Sequence, residues 1–300
     1  MRSRTRLAIL SLFAAGAFSV GIFFILPEDA LPLQQKELGE MATIALPPDP
    51  FDKITITGKA AYVYDISQKT VLYEKNATTT LPLASLTKVF ASIAANEILP
   101  RTATVEIDRA ALATDGESGL IESESWDAKE LLAFTLVTSS NDAMKAVGRT
   151  VESEEHRDLV AEMNKKAQEL GMNDSYFLNE TGLDITKGIS GAYGSASDVG
   201  RGIAYAYRKH YDIFKATQDP EGMFSSLNNG THRGTNTNKI VDRIPSLILS
   251  KTGYTELAGG NLAVVFEREP NHPIAVVVLG STEDERFTDV EKLIFAALRK

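Results

Sequence analysis

The chain has 300 residues, 43% of them hydrophobic and 24% charged, which is enough for one large globular domain or two modest ones. A formal net charge of −9 without clustered Lys and Arg argues against a nucleic-acid binder. With no cysteine there is no disulfide, thiolate zinc site or cysteine nucleophile, and none of the four histidines (His156, His210, His232, His272) has metal-ligand spacing with another, so no metal is expected.

In chain order, the opening "MRSRTR" is followed by an uncharged apolar run over residues 7–26. As a helix that run is about 30 Å long, the thickness of a bilayer's hydrocarbon core. Its small-x-small site, Ala15 to Ala17, lies inside the run, so an uncleaved membrane anchor is expected rather than a signal peptide. The arginines would stay in the cytoplasm, giving a single-pass protein of the cell membrane with everything after residue 26 on the extracytoplasmic side. Residues 27–57, rich in proline near Pro47, Pro48 and Pro50, are expected to form a tether, and residues 58–300 a single domain.

That domain opens with "KAAYVYDIS" and "TVLYEK", two β-rich runs split by a polar turn, which predict a hairpin. A helix is predicted from Ser85 over "SLTKVFASIAANEIL", and a second, begun by Trp126, over "DAKELLAFTLV". The acidic stretch 152–158 reads as a solvated helix start, and "NNGTHRGTNTN" as a polar loop. Strands are predicted in "SLILSKTGY", "NLAVVFERE" and "PIAVVVLGS", then a final helix with Phe287, Val290, Ile294 and Leu298 on one face. Strands at both ends predict an α+β fold: an antiparallel sheet flanked by N- and C-terminal segments, with a helical insertion of about 150 residues.

Three short patterns carry chemistry. In "LPLASLTKVF", Ser85 and Lys88 are one helical turn apart, so amine and hydroxyl can touch. A lysine can deprotonate a serine only if its ammonium is destabilised by burial or by a second cation. Backbone N–H groups at the helix start suit a developing oxyanion. "LVTSSNDAMKAVG" sets Ser139 and Asn141 at a junction between two helices, and "LILSKTGYTE" sets Lys251, Thr252 and Gly253 at the end of a buried strand. Singly, each pattern also reads as an ordinary cap or strand end. In the order S-x-x-K, S-x-N, K-T-G they form the set of penicillin-binding proteins and serine β-lactamases.

The chain resembles the low-molecular-mass D-alanyl-D-alanine carboxypeptidases, serine DD-peptidases that trim peptidoglycan, over roughly residues 58–282. The opening hairpin, "LGMNDSYFLNETGLD" and "SKTGYTELAGGNL" carry the likeness beyond the three motifs. The resemblance implies a β-lactamase/DD-peptidase-like fold, peptidoglycan stem peptides as substrate, β-lactams as covalent inhibitors, and no metal or organic cofactor. It implies that Ser85 is the acylated nucleophile, Lys88 its general base and Ser139 a proton relay to the leaving amine. Asn141 would orient the substrate amide, and Lys251 would hold the substrate carboxylate and help keep Lys88 neutral. Thr252 or Thr255 would also bond that carboxylate. The N–H groups of Ser85 and Tyr254 would form the oxyanion hole, with the peptide lying along residues 251–254 as an added strand. The family often has histidine where this chain has Tyr193, and some members carry a further β-domain and a C-terminal anchor, whose place the N-terminal span would take. A β-lactamase would need a glutamate ahead of L-N, whereas "FLNETGLD" has Asn179 before Glu180. An endopeptidase with the same machinery and a catalytically silent wall-binding module are the alternatives. Trp126 reads as packing, and Tyr254 as a residue that could line the pocket.

Overall fold

The computed structural model of the protein describes residues 48–116, 118–228 and 230–300. The predicted anchor at 7–26 and residues 27–47 of the predicted tether lie outside them. Among the described residues no helix is long and apolar enough to cross a membrane.

Five strands form the main sheet: β1 Ala60–Asp65, β2 Thr70–Lys75, β3 Leu247–Thr255, β4 Gly259–Glu267 and β5 Pro273–Ser281. Their order is β3-β4-β5-β1-β2 and every pairing is antiparallel, so the two ends of the domain close one sheet, as the β-rich runs predicted. Five long helices lie between β2 and β3: α1 Thr87–Ile98, α2 Ala128–Thr138, α3 Asn141–Glu155, α4 Leu159–Glu169 and α5 Ala196–Lys209. The C-terminal helix α6, Glu285–Ala297, covers the other face.

Period-two alternation explains why β5 is apolar throughout. Ala275, Val277 and Leu279 enter the core shared with the helices, while Ile274, Val276 and Val278 enter the core beneath α6. Each large aliphatic side chain removed from water contributes about 1.5–3 kcal/mol. The sheet is therefore a clamped central layer, and β3, at its edge, keeps one side open.

Four local expectations change. The α-helix does not begin at Ser85: Ala84–Leu86 form one 3-10 turn and α1 starts at Thr87, because here the Leu86 N–H bonds Leu83 O and the Thr87 N–H bonds Ala84 O, three positions back instead of four. Trp126 lies in a short strand, Ser125–Asp127, paired with Thr104–Glu106, and Asp127 caps α2 after it. Residues 152–155 end α3, and of the acidic stretch only Asp158 caps a helix start. The stretch read as a polar loop contains a strand, Thr231–Thr235, paired with Glu221–Ser225. Its one buried residue is Gly234, so no apolar alternation marks it. The packed body also reaches back before residue 58. Phe51 stacks on Tyr73 at 5.3 Å, Ile56 is buried, and Asp289 of α6 accepts from the N–H groups of Thr57 (3.0 Å) and Gly58 (2.8 Å).

Candidate active site

The turn bearing Ser85 is held from three sides. Ahead of it, Leu81 and Pro82 pair with Gly194 and Tyr193, and Leu83 N–H donates to Ala192 O at 3.0 Å. From below, the fully buried Asn261 of β4 donates its Nδ2 to the carbonyls of Pro82 and Leu83, both at 3.0 Å, and accepts from Gly280 N–H at 2.8 Å. Beside it runs β3, so close that a Cβ at Gly253 would sit 2.8 Å from Leu83 O and 3.2 Å from Ser85 N. Gly182 is equally constrained: its φ is +80°, and a Cβ there would lie 1.9 Å from Ala84 O. Gly182→Ala is therefore expected to displace the Ser85 turn and to lower, at least about tenfold, the acylation of Ser85 by β-lactams that the sequence resemblance implies, read by the rate of adduct formation in a variant that still melts cooperatively.

Lys88 is fully buried and its Nζ meets three groups: Ser85 Oγ at 2.9 Å, Asn141 Oδ1 at 2.6 Å and the Thr181 carbonyl at 2.8 Å. The orientation of the Asn141 amide follows from its Nδ2, which donates to Asp115 O at 2.7 Å. Burial pulls the Lys88 ammonium down to about 7, against the opposing pull of the Glu180 and Asp142 carboxylates. A neutral amine has two N–H groups and one lone pair. Two of its three partners, Asn141 Oδ1 and Thr181 O, can only accept, so they take the two N–H groups and leave the lone pair facing the Ser85 hydroxyl. That is the arrangement a general base requires.

A second pair stands alongside. Ser139, in left-handed conformation (φ 62°), breaks the chain between α2 and α3, and Ser140 caps α3 through Ala143 N–H at 2.9 Å. Lys251 of β3 is 2% exposed and donates from Nζ to Ser139 Oγ at 2.7 Å and to Thr252 O at 2.9 Å. Its ammonium is held well below the ordinary lysine range, first by burial, then by the positive charges of Lys88 and Arg286. At Lys88 the leading cause is burial itself rather than a neighbouring cation. Thr252 Oγ1 donates to Thr237 Oγ1 at 2.6 Å, whereas Thr255 is turned to Asp184, to which its hydroxyl donates at 3.1 Å. Tyr254 is 47% exposed at the strand edge. Beside Ser139 and Asn141 opens a cleft of about 320 Å³, also lined by Gly116, Ser118, Arg233 and Thr235.

The fold thus brings Ser85, Lys88, Ser139, Asn141, Lys251, Thr252 and Gly253 to one place. Three contributors escaped the sequence reading. Thr181 acts through its carbonyl, which any residue could supply, and its only trace is Asn179 in "FLNETGLD", whose Oδ1 accepts from Gly182 N–H at 2.7 Å and shapes that loop. Asn261 is an isolated amide in an otherwise apolar strand, which is a readable signal. Arg286 donates to Gly253 O at 2.9 Å from a helix far along the chain. Tyr193, in place of the family's histidine, stacks on Tyr176 at 5.1 Å and accepts from Ser190 N–H at 3.0 Å, so it closes the 183–190 loop. Trp126 is buried against Phe134 and His232 and packs, as read. Among the described residues no group of His, Asp and Glu could hold a metal ion.

The chain is 31% identical over 242 residues to the D-alanyl-D-alanine carboxypeptidase DacF of Bacillus subtilis, an alignment covering 79% of this chain and 61% of that protein, so it spans about three fifths of DacF. It is 24% identical over 285 residues to the D-alanyl-D-alanine endopeptidase of Escherichia coli, covering 92% of this chain and 87% of that one. The fold superposes on ampicillin-bound penicillin-binding protein D2 of Listeria monocytogenes with a TM-score of 0.70 and 26% identity, over 81% of this chain and 98% of that one. The sequence profile of D-alanyl-D-alanine carboxypeptidases, peptidase family S11, matches residues 44–283. That match takes in the serine–lysine pair, the Ser139 junction and the Lys251 strand together, and the chain belongs to the D-alanyl-D-alanine carboxypeptidase family.

Proposed function

We propose that the domain is a serine-type D-Ala-D-Ala carboxypeptidase that removes the terminal D-alanine of peptidoglycan stem peptides through an acyl-enzyme on Ser85. The observation that carries this reading is the position of buried Lys88 Nζ, 2.9 Å from Ser85 Oγ and between two groups that can only accept, Asn141 Oδ1 and Thr181 O. Lys88 takes the hydroxyl proton as Oγ attacks the carbonyl of the penultimate residue. The developing oxyanion is held by the N–H groups of Ser85 and Tyr254. As the C–N bond breaks, the departing amine takes a proton from Ser139, which Lys251 supports, and Ser139 is reprotonated by the proton that Lys88 took from Ser85, so that Lys88 is neutral again. The substrate lies along the open edge of β3, its amide oriented by Asn141 and its carboxylate met by Lys251 and Thr252. Water then attacks the ester, Lys88 again taking the proton. β-Lactams enter by the same acylation and stall as esters. Residues 7–26 would hold the domain against the outer face of the membrane.

The likeness to the Escherichia coli endopeptidase, over nearly the whole chain, supports a second reading in which the same groups cut the cross-link between two stem peptides. One experiment separates the readings: intact mass spectrometry of the protein with benzylpenicillin, with a pentapeptide ending in D-Ala-D-Ala, and with a cross-linked stem dimer. A stable penicilloyl adduct that maps to Ser85 and is absent from Ser85→Ala, together with loss of one alanine from the pentapeptide, is the expected result. Cleavage of the dimer alone would transfer the assignment to an endopeptidase, and the absence of both adduct and turnover would leave a silent wall-binding module.

A further inference from the structure

Arg286 stands in the first turn of α6 with 5% of its surface exposed. A buried guanidinium normally carries a carboxylate partner. Among the described residues this one makes a single hydrogen bond, from Nη1 to Gly253 O at 2.9 Å, and its buried Nε has no partner. The ring of Phe287 lies 4.8 Å away, and the Glu283 and Asp284 carboxylates act on the guanidinium through space, without a hydrogen bond to it. So poorly compensated a charge costs stability, which points to a role outside folding.

The surroundings make way for this contact. Gly260, the β4 residue paired with Tyr254, has no room for a Cβ, which would run into the Thr282 carbonyl and also come within 3.2 Å of Arg286 Cδ, so bare backbone lets the segment that carries Arg286 pass close to β4. The carbonyl it reaches belongs to the peptide unit joining Gly253 to Tyr254. In a trans peptide the C=O and N–H point in opposite directions within one plane. Arg286 holds the carbonyl from the side of β4, so the Tyr254 N–H points to the open edge of β3, beside Ser85. With no Cβ at 253 that plane is held less firmly than elsewhere in the strand, and the grip on its carbonyl adds to the ladder with β4. A charge-assisted bond to the carbonyl also polarises the amide and strengthens its N–H as a donor.

We propose that Arg286 is a positioning residue for the oxyanion: by gripping Gly253 O it fixes the peptide plane that aims Tyr254 N–H at the oxygen of the acylated carbonyl. The inference rests on Ser85 being the acylated serine, as proposed above. It assigns Arg286 no contact with substrate.

The test compares the full chain with Arg286→Met and Arg286→Lys, each acylated by benzylpenicillin, and reads the limiting acylation rate, the half-saturating concentration, and the ester carbonyl stretch by infrared difference spectroscopy. The Met variant is expected to lose about 10- to 100-fold in limiting rate, somewhat less than deletion of an oxyanion donor. Half-saturation should stay near wild type while the ester stretch moves to higher frequency. The Lys variant, which keeps a cationic donor in the same fold, should recover part of both effects and serves alone if the Met variant does not fold. A loss of rate with an unmoved ester stretch would reduce Arg286 to a structural role, and a loss confined to half-saturation would make it a ligand-binding group. Either result, or wild-type behaviour in both variants, overturns the proposal. Acylation of the wild type in the same experiment checks the parent reading separately.

Discussion

Lys88→Met is expected to slow acylation of Ser85 by penicillin by about 10³-fold, within the range by which a positioned base accelerates proton transfer. Methionine fills a similar volume but has no basic nitrogen, so Ser85 Oγ, 2.9 Å from the missing amine, keeps its proton. The wild-type pH profile should carry the same signature. Lys88 titrates at about 7 because burial disfavours its charged form, and only the neutral form is a base. Acylation should therefore be level well above pH 7 and fall about tenfold per pH unit well below it, while the residual rate of the variant stays flat. The folded protein also binds fewer protons at Lys88 than the unfolded chain does between about 7 and the ordinary lysine value of 10.5, so this residue's contribution to stability rises with pH across that window. Stopped-flow acylation by a fluorescent penicillin from pH 5.5 to 9.5 reads the kinetic part. A wild-type rate that is level across that range would rule out Lys88 as the base.

Asn261→Ala should damage both fold and site. The wild-type amide is fully buried and joins three chain segments: Pro82 and Leu83 ahead of the nucleophile, and Gly280 of the neighbouring strand β5. Truncation leaves Pro82 O and the buried Gly280 N–H without this partner, while Leu83 O keeps the Leu86 N–H at 3.2 Å, at roughly 1–3 kcal/mol for each group left without a partner. A total near about 4 kcal/mol corresponds to a fall in melting temperature of roughly 10 °C for a domain of this size. The Ser85 turn would lose its support from below, so acylation should drop in the material that remains folded. Asn261→Asp keeps the acceptor for Gly280 N–H but opposes a carboxylate to two carbonyls, and should be at least as harmful. Calorimetry beside acylation kinetics checks both parts. A melting temperature within a degree or two of wild type would mean that Asn261 does not support the turn.

The elements that sequence made legible are those whose cause is local. The hairpin of β1 and β2, the apolar runs of β3, β4 and β5, and the α6 stripe of Phe287, Val290 and Ile294 repeat every two residues or every three to four, and the backbone geometry of strand and helix imposes those periods. The contact of Ser85 with Lys88 was legible for the same reason, since three positions make one turn whether it is 3-10 or α. Sequence could not show how the strand Thr231–Thr235 pairs, because its inward residue is a glycine, nor where the packed body begins, because Phe51 is buried only once β2 and its Tyr73 are in place. The groups around Lys88 lie still further from anything local: Asn141 Oδ1 is 53 positions away and the Thr181 carbonyl 93. A carbonyl has no residue signature, and Arg286 in the sequence is one arginine among many until α6 packs under the sheet and brings it to Gly253 O. Residue type and spacing thus determined which side chains could react. Tertiary packing decided the dryness that neutralises Lys88 and the acceptors that turn its lone pair toward Ser85, because burial and orientation belong to the assembled fold and to no segment of it.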